Sequence, residues 1–342
     1  MNVDELIAPG RLGPALAEAT GQDAWRQVSA ELISGGKSNL TFTLTNPAGE
    51  ELILRRPPTG ELLPSAHDMG REARVQEGLA ATDIPVPRIV LHDEGDLIGI
   101  QCYVMEKVEG HIIRGELPAG WAETTEQRQA MAHVFVDTLA DLHAVYPQAI
   151  GLDDYGRPAG FMERQIRRWG GQWEASKTHA VPELEELGRL LAARIPEQQR
   201  SSIVHGDYRT DNVVHSLDDP GRIGAVLDWE LSTLGDPLAD VGQLMLYWRE
   251  PGEQQFHLIP GVTHLPGFPD RAALLDRYAA RSGADLSEMA FYQGYAHYKF
   301  AIIAQGVSAR SKAGAMGGQD FGDLDDEILY LARTGLEYVK EH

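Results

Sequence analysis

Apolar and polar residues alternate through Gln27–Ile33 and Leu40–Thr45, the period of half-buried strands. Asn46-Pro-Ala-Gly49 forms a turn cluster, and Glu51–Arg56 reads as the next strand, ended by Pro57-Pro58 because proline has no ladder N–H. Gly70–Thr82 has helical composition and stops at Ile84-Pro-Val-Pro87; Arg88–His92 and Ile98–Val108 read as two further strands. From about Thr124 the period changes. Met131, Val134, Phe135, Leu139, Leu142 and Val145 fall on one helical face. Helical patterning returns at Phe161–Ser176, Glu183–Arg194, Leu238–Trp248, Arg271–Ser282, Ser287–Ala309 and Asp325–Glu341, with short strands and loops across Ile203–Trp229. The expected architecture is α+β: residues 1–108 as a β-sheet lobe with one helix, and 109–342 as a helical lobe, connected near 106–115.

Composition narrows the class. With 342 residues, 43% hydrophobic and 24% charged, the chain has material for two cores. A formal charge of −21 argues against nucleic acid as a partner, since phosphate backbones need basic surface. Cys102 is the only cysteine, which suits a reducing cytoplasm. No run of 18 uncharged apolar residues predicts a membrane span, and the acidic first ten residues do not read as a signal peptide.

The chemistry concentrates in a few strings. Val204-His205-Gly206-Asp207-Tyr208-Arg209-Thr210-Asp211-Asn212 is an HxD followed by four residues and an Asn, the kinase catalytic-loop pattern. In it Asp207 accepts the acceptor hydroxyl proton and Asn212 holds a metal; an Asp/Asn-rich surface turn is the bland reading. Gly224-Ala-Val-Leu-Asp228 follows 21 residues after Asp207 and ends an apolar run on a carboxylate, where a kinase places its second magnesium ligand. Glu230 reads as a hydrogen-bonding companion.

Three further strings are candidate nucleotide contacts. Gly35, Gly36, Lys37, Ser38 and Asn39 sit between two strands, where glycine lets backbone N–H groups approach phosphate, although an ordinary β-turn fits equally. A Walker A loop is excluded: Glu31 stands where its first glycine belongs, and a strand follows rather than a helix. Arg55 occupies the place of the phosphate-holding lysine, with Glu72 of the following helix as its partner; an exposed strand end is the alternative. Met105, Glu106 and Val108 end a strand where an interlobe hinge would meet adenine, or where a buried strand simply turns. His133, His143 and His215 lack metal-ligand spacing and read as structural. Asp236 and Pro237 read as N-cap and first residue of the Leu238 helix.

Together Ser34–Thr41, Leu54–Pro58, Tyr103–Glu106, Val204–Arg209 and Ala225–Asp240 resemble the aminoglycoside phosphotransferase and choline kinase superfamily, in particular the kinase-like domains joined to some acyl-CoA dehydrogenases. The resemblance implies a protein-kinase-like fold, ATP or GTP as donor with Mg2+, Asp207 as base, Asn212 and Asp228 as metal ligands, and Glu72 paired to Arg55. Arg55 departs from the lysine common in the wider family. The implied activity is transfer of the γ-phosphoryl group of ATP to a small-molecule hydroxyl, with a hydroxyacyl-CoA as acceptor. A nucleotide-binding pseudokinase and an aminoglycoside kinase are the alternatives. Tyr298-Lys299 and Ser308–Gly318, aromatic, basic and glycine-rich, suit an apolar acceptor with an anionic handle; a basic helix C-terminus followed by a loop is the bland reading.

Overall fold

The computed structural model describes residues 3–33, 39–59, 68–312 and 322–341. The chain divides into two compact units: 1–110 with 150–152 and 224–231, and 111–149 with 153–223 and 232–342.

The first unit is built on an antiparallel sheet of β1 (Ser29–Leu32), β2 (Leu40–Thr45), β3 (Glu51–Arg56), β4 (Ile89–Asp93) and β5 (Cys102–Glu106), in the order β1-β2-β3-β5-β4. Strand alternation decides which face each side chain serves. Leu52 and Leu54 join Phe42, Leu44 and Val104 in a core closed by α1 (Val3–Ile7) and α2 (Pro9–Thr20). Ile53 faces the other way and packs with Tyr103 and Met105 against Met69 and Ala73 of α3 (Met69–Leu79). Arg55, two residues from Ile53, therefore emerges on the α3 face.

The two N-terminal helices correct the expectation of one helix in this region. α2 contains Gly10, Gly13 and Pro14, all poor helix formers, yet Leu12 and Leu16 are fully buried one turn apart. Tertiary burial outweighs propensity there.

The second unit is mostly helical. Its helices are α4 (Thr125–Ala144), α5 (Phe161–Ser176), α6 (Pro182–Ala193), α7 (Leu238–Tyr247), α8 (Arg271–Ser282), α9 (Met289–Lys312) and α10 (Asp325–Glu341). A capping box starts α4: the Gln127 N–H donates to Thr124 Oγ1, and the Gln127 side chain accepts from the Thr124 N–H. α9 is buried around most of its circumference, so its apolar residues show no single stripe, and it packs against α5, α7 and α10. Gly242 lets α7 approach α9: a Cβ there would lie 2.4 Å from the Tyr292 carbonyl oxygen. The short strands are β6 (Ser202–Val204), β7 (Val213–His215), β8 (Ile223–Val226) and β9 (Thr233–Gly235), with β6 antiparallel to β9.

A small β-rich unit followed by a larger helical one is the α+β, protein-kinase-like architecture. Among the described residues no helix is long and apolar enough to cross a membrane.

Candidate active site

The catalytic-loop string lies in the second unit. β6 runs buried into the loop, and Gly206 then takes φ +85°, a left-handed value that glycine adopts without penalty. Asp240, in the first turn of α7 and 1% exposed, fixes the loop by accepting the backbone N–H of His205 at 2.6 Å and of Gly206 at 2.9 Å. Its second contact with Oδ2 is His143 Nε2 at 3.3 Å, and the Tyr278 hydroxyl lies 2.8 Å from His143 Nδ1. Burial would raise the Asp240 carboxyl, but His143, His205 and the Gly206 N–H together hold it below the usual range. His143 is thus structural. The cap of α7 differs by one position from expectation. The first helical residue is Leu238, and Pro237 precedes it, while Asp236 still accepts the Leu238 N–H at 3.1 Å and the Tyr292 hydroxyl at 2.6 Å. A proline in helical dihedrals reads as the first residue by φ alone; the hydrogen-bond pattern starts one later.

Asp207 receives a full set of donors. Tyr247 Oη donates to Oδ1 at 2.8 Å and Gln243 Nε2 at 3.2 Å, while Arg209 Nε and Asn212 Nδ2 each approach Oδ2 to 3.1 Å. Burial opposes the charged form, but Arg209, Lys299, Tyr247 and His205 outweigh it and keep the carboxyl below its ordinary value. Asp207 is therefore ionised. Asn212 Nδ2 also donates to the Asp207 backbone carbonyl at 2.9 Å, which leaves Oδ1, the harder donor, as the atom for a cation. Lys299 joins the same group through Gln243 and the Gly206 carbonyl. Gln243, Tyr247 and Asp240 were invisible as site residues in sequence, because they belong to an ordinary apolar helix pattern in α7.

In the first unit Arg55 Nη2 is 3.0 Å from Asp228 Oδ1, and its Nε is 3.3 Å from Glu72 Oε2, an ion pair without hydrogen-bond alignment. Asn39 Nδ2 donates to Glu72 Oε1 at 3.0 Å and to Glu230 Oε2 at 3.1 Å, and the Tyr103 hydroxyl donates to Glu72 Oε2 at 3.0 Å. One guanidinium thus pairs with two carboxylates, Glu72 and Asp228, with the Glu230 charge nearby. Burial would lower the Arg55 pKa, but Tyr103, Glu72, Asp228 and Glu230 raise it above its ordinary value. Glu72 is pushed up to about 7, first by burial and then by Asp228 and Glu230, against the pull of Arg55. Asp228 itself has φ +64°, a conformation uncommon outside glycine, in a turn held by the Trp229 Nε1 bond to the Val226 carbonyl at 3.1 Å.

The remaining expectations fall unevenly. Met105 is buried in the α3-side core, and Val108 is half-buried. Glu106 spends its N–H on the Arg88 carbonyl at 2.9 Å and its carboxylate on the Arg88 side chain. A cleft of about 370 Å³ touches Glu106 and Val108 but opens on the α2 side, beside Trp25 and Leu52, away from Arg55. Gly35, Gly36, Lys37 and Ser38, like 313–318 of the acceptor-side string, lie outside the described residues. Cys102 is fully buried. Among the described residues no group of His, Cys, Asp and Glu forms a metal cluster.

Comparison with known proteins gives the chain's family. The "Phosphotransferase enzyme family" matches residues 29–292. Acyl-CoA dehydrogenase family member 11 of Rattus norvegicus is 34% identical over 324 residues, 93% of this chain and 41% of that protein. Acyl-CoA dehydrogenase family member 10 of Mus musculus is 34% identical over 321 residues, 90% of this chain and 29% of that protein. The chain therefore spans well under half the length of these relatives. A Ralstonia eutropha protein provisionally described as an aminoglycoside phosphotransferase has a solved structure of TM-score 0.79 at 34% identity, covering 92% of this chain and 93% of its own. Choline kinase from Cryptosporidium parvum shares the fold, with TM-score 0.59 at 12% identity, over 96% of this chain and 94% of its own. With the family match across most of its length and a well-covered relative at one-third identity, the chain belongs to the phosphotransferase enzyme family.

Proposed function

We propose that the chain is an ATP- and magnesium-dependent small-molecule kinase, with Asp207 as the group that receives the acceptor hydroxyl. The observation that carries this reading is the Asp207 carboxylate held by donors from Tyr247, Gln243, Arg209 and Asn212 in a loop fixed by Asp240. A residue that only binds nucleotide has no use for a carboxylate so arranged.

The donor set suits magnesium. Asn212 has its amide nitrogen committed to Asp207, and Asp228 has one oxygen on Arg55, so each has an oxygen to offer a hard cation. Magnesium held by such oxygens would neutralise charge on the phosphates. Arg55 would contribute a donor fork to the same phosphates, and Glu72 would orient it. The acceptor oxygen then forms its bond to the γ-phosphorus as the bond to the bridging oxygen of the departing diphosphate breaks. The hydroxyl proton passes to Asp207. A carboxylate held below its ordinary pKa is a weak base, which fits a loose transition state where the proton leaves late and orientation matters most.

For the acceptor we favour a hydroxyacyl-CoA over a polycationic aminoglycoside. Two relatives that this chain matches over less than half their length are named for acyl-CoA dehydrogenases, and Lys299 and Arg209 lie beside the base, Arg209 being shared with Asp211. The test is ADP release with magnesium and ATP against 3- and 4-hydroxyacyl-CoA thioesters, choline, homoserine and aminoglycosides. Asp207→Asn should bind ATP normally and lose about 10²–10⁴-fold in turnover. Collapse of ATP affinity in that variant would make Asp207 a structural or metal residue. Turnover of an aminoglycoside with none of the thioesters would refute the acceptor and leave the kinase.

A further inference from the structure

Lys299 sits in the middle of α9 with only 8% of its surface exposed. A lysine ammonium has three donors and no acceptor. Two reach the Gly206 carbonyl at 2.9 Å and Gln243 Oε1 at 2.6 Å, and Nζ lies 5.8 Å from the centre of the Trp169 ring on α5. The charges that face it are Asp207 on the loop, Asp240 on α7 and Arg168 on α5. Gln243 is itself 5% exposed. Its other amide end, Nε2, donates to Asp207 Oδ1 and to the Tyr247 hydroxyl, which in turn donates to the same carboxylate oxygen.

We propose that Lys299 is a positioning residue for the phosphoryl transfer proposed above, acting through Gln243. The inference rests on that reading. A side-chain amide has an acceptor end and a donor end of nearly equal size, and an isolated glutamine can present either. Lys299 can only donate. It therefore holds Gln243 Oε1 to itself and obliges Nε2 to face Asp207. Tyr247 receives from Nε2, so its proton is directed onto Asp207 Oδ1 rather than back toward Gln243. The carboxylate keeps two donors on one oxygen and is held for the acceptor hydroxyl. Without the ammonium, Gln243 Oε1 is left buried with no donor, the amide is no longer held in one orientation, and the base loses its aim. The bond to the Gly206 carbonyl ties the same ammonium to the loop that carries Asp207, so one cation sets both the backbone and the side-chain donor.

The experiment uses magnesium-dependent ATP hydrolysis, with water as acceptor, and nitrogen NMR of the Gln243 amide in the full chain, its resonance identified by Gln243→Leu. Lys299→Met should lower kcat about 10–100-fold, as loss of a supporting contact does, with the ATP KM within about twofold of wild type. The Gln243 amide should lose its protection from solvent exchange. Gln243→Leu should lower kcat equally, and the double variant should be no worse than either single one, since both remove one device. Lys299→Arg supplies donors only, so it should retain the amide signal and most of the rate, and it serves if Lys299→Met fails to fold. An unchanged amide in Lys299→Met, an unchanged kcat, or additive losses in the double variant would overturn the proposal. Wild-type protein that turns over no ATP would instead sink the kinase reading, with the amide measurement still deciding how Gln243 is held.

Discussion

Removing Asp240 tests how the catalytic loop is held. In Asp240→Ala the His205 and Gly206 N–H groups, at 2.6 and 2.9 Å from the carboxylate, lose their acceptor in a site where Asp240 was 1% exposed. Water has little access to replace it. Hydrogen bonds to a charged acceptor contribute about 1.5–3 kcal/mol each, so the two bonds imply a loss of about 3–6 kcal/mol. That is a large part of the ~5–15 kcal/mol that holds a folded protein together. With a urea slope of about 3 kcal/mol/M, the midpoint should fall by about 1–2 M. Asp240→Asn keeps one acceptor oxygen and should lose about half as much. The carboxyl is held below its ordinary value, so its contribution is complete above the unfolded pKa of about 3.9 and disappears as pH falls through the depressed folded value. Wild type should therefore lose part of its advantage over Asp240→Ala in acid. The assay is equilibrium urea unfolding at neutral and acid pH, paired with ATP hydrolysis on the folded variant. A midpoint for Asp240→Ala within about 0.2 M of wild type would refute the reasoning, since no buried charged hydrogen bond is worth so little.

Two further outcomes follow from the first unit. Arg55→Ala leaves Glu72 and Asp228 without their cation, so it should lower stability and raise the ATP KM, while Arg55→Lys keeps the charge without the fork and should retain part of both; wild-type behaviour in Arg55→Ala would reduce Arg55 to a strand-end charge. Glu72, pushed up to about 7, favours the folded state most when protonated, so its contribution is full below the unfolded value of about 4.3 and is lost as pH rises through about 7; Glu72→Gln should flatten that limb of the stability–pH curve, and an unaltered curve would remove Glu72 as its source.

Much of the fold was legible as periodicity. β2 and β3 alternate over the spans expected, and the apolar faces of α5, α8 and α10 carry the helical period between the bounds read from sequence. The Leu12–Leu16 spacing that buries α2 was present too, but glycines and a proline concealed it, because local propensity argues against a helix that only packing on the sheet makes stable. Arg55 and Glu72 could be paired from their places on a strand and the helix after it, since alternation sends Arg55 to the α3 face.

The chain by itself determined the chemical types: Asp207 and Asn212 five residues apart on a loop, Asp228 after an apolar run, and Arg55 on the strand before the helix that carries Glu72. Those depend on local spacing, which a linear sequence preserves. Only the tertiary structure decided what surrounds them. Asn39 lies 33 residues from Glu72 and 191 from Glu230, Gln243 lies 36 from Asp207, and Lys299 lies 56 from Gln243. The sequence marked Asn39 as a nucleotide contact and Lys299 as an acceptor-side residue and left Gln243 unmarked, but it showed none of these pairings. Their roles arise because packing α9 against α7 buries a lysine beside a glutamine, and a buried charge must find partners wherever the fold brings them.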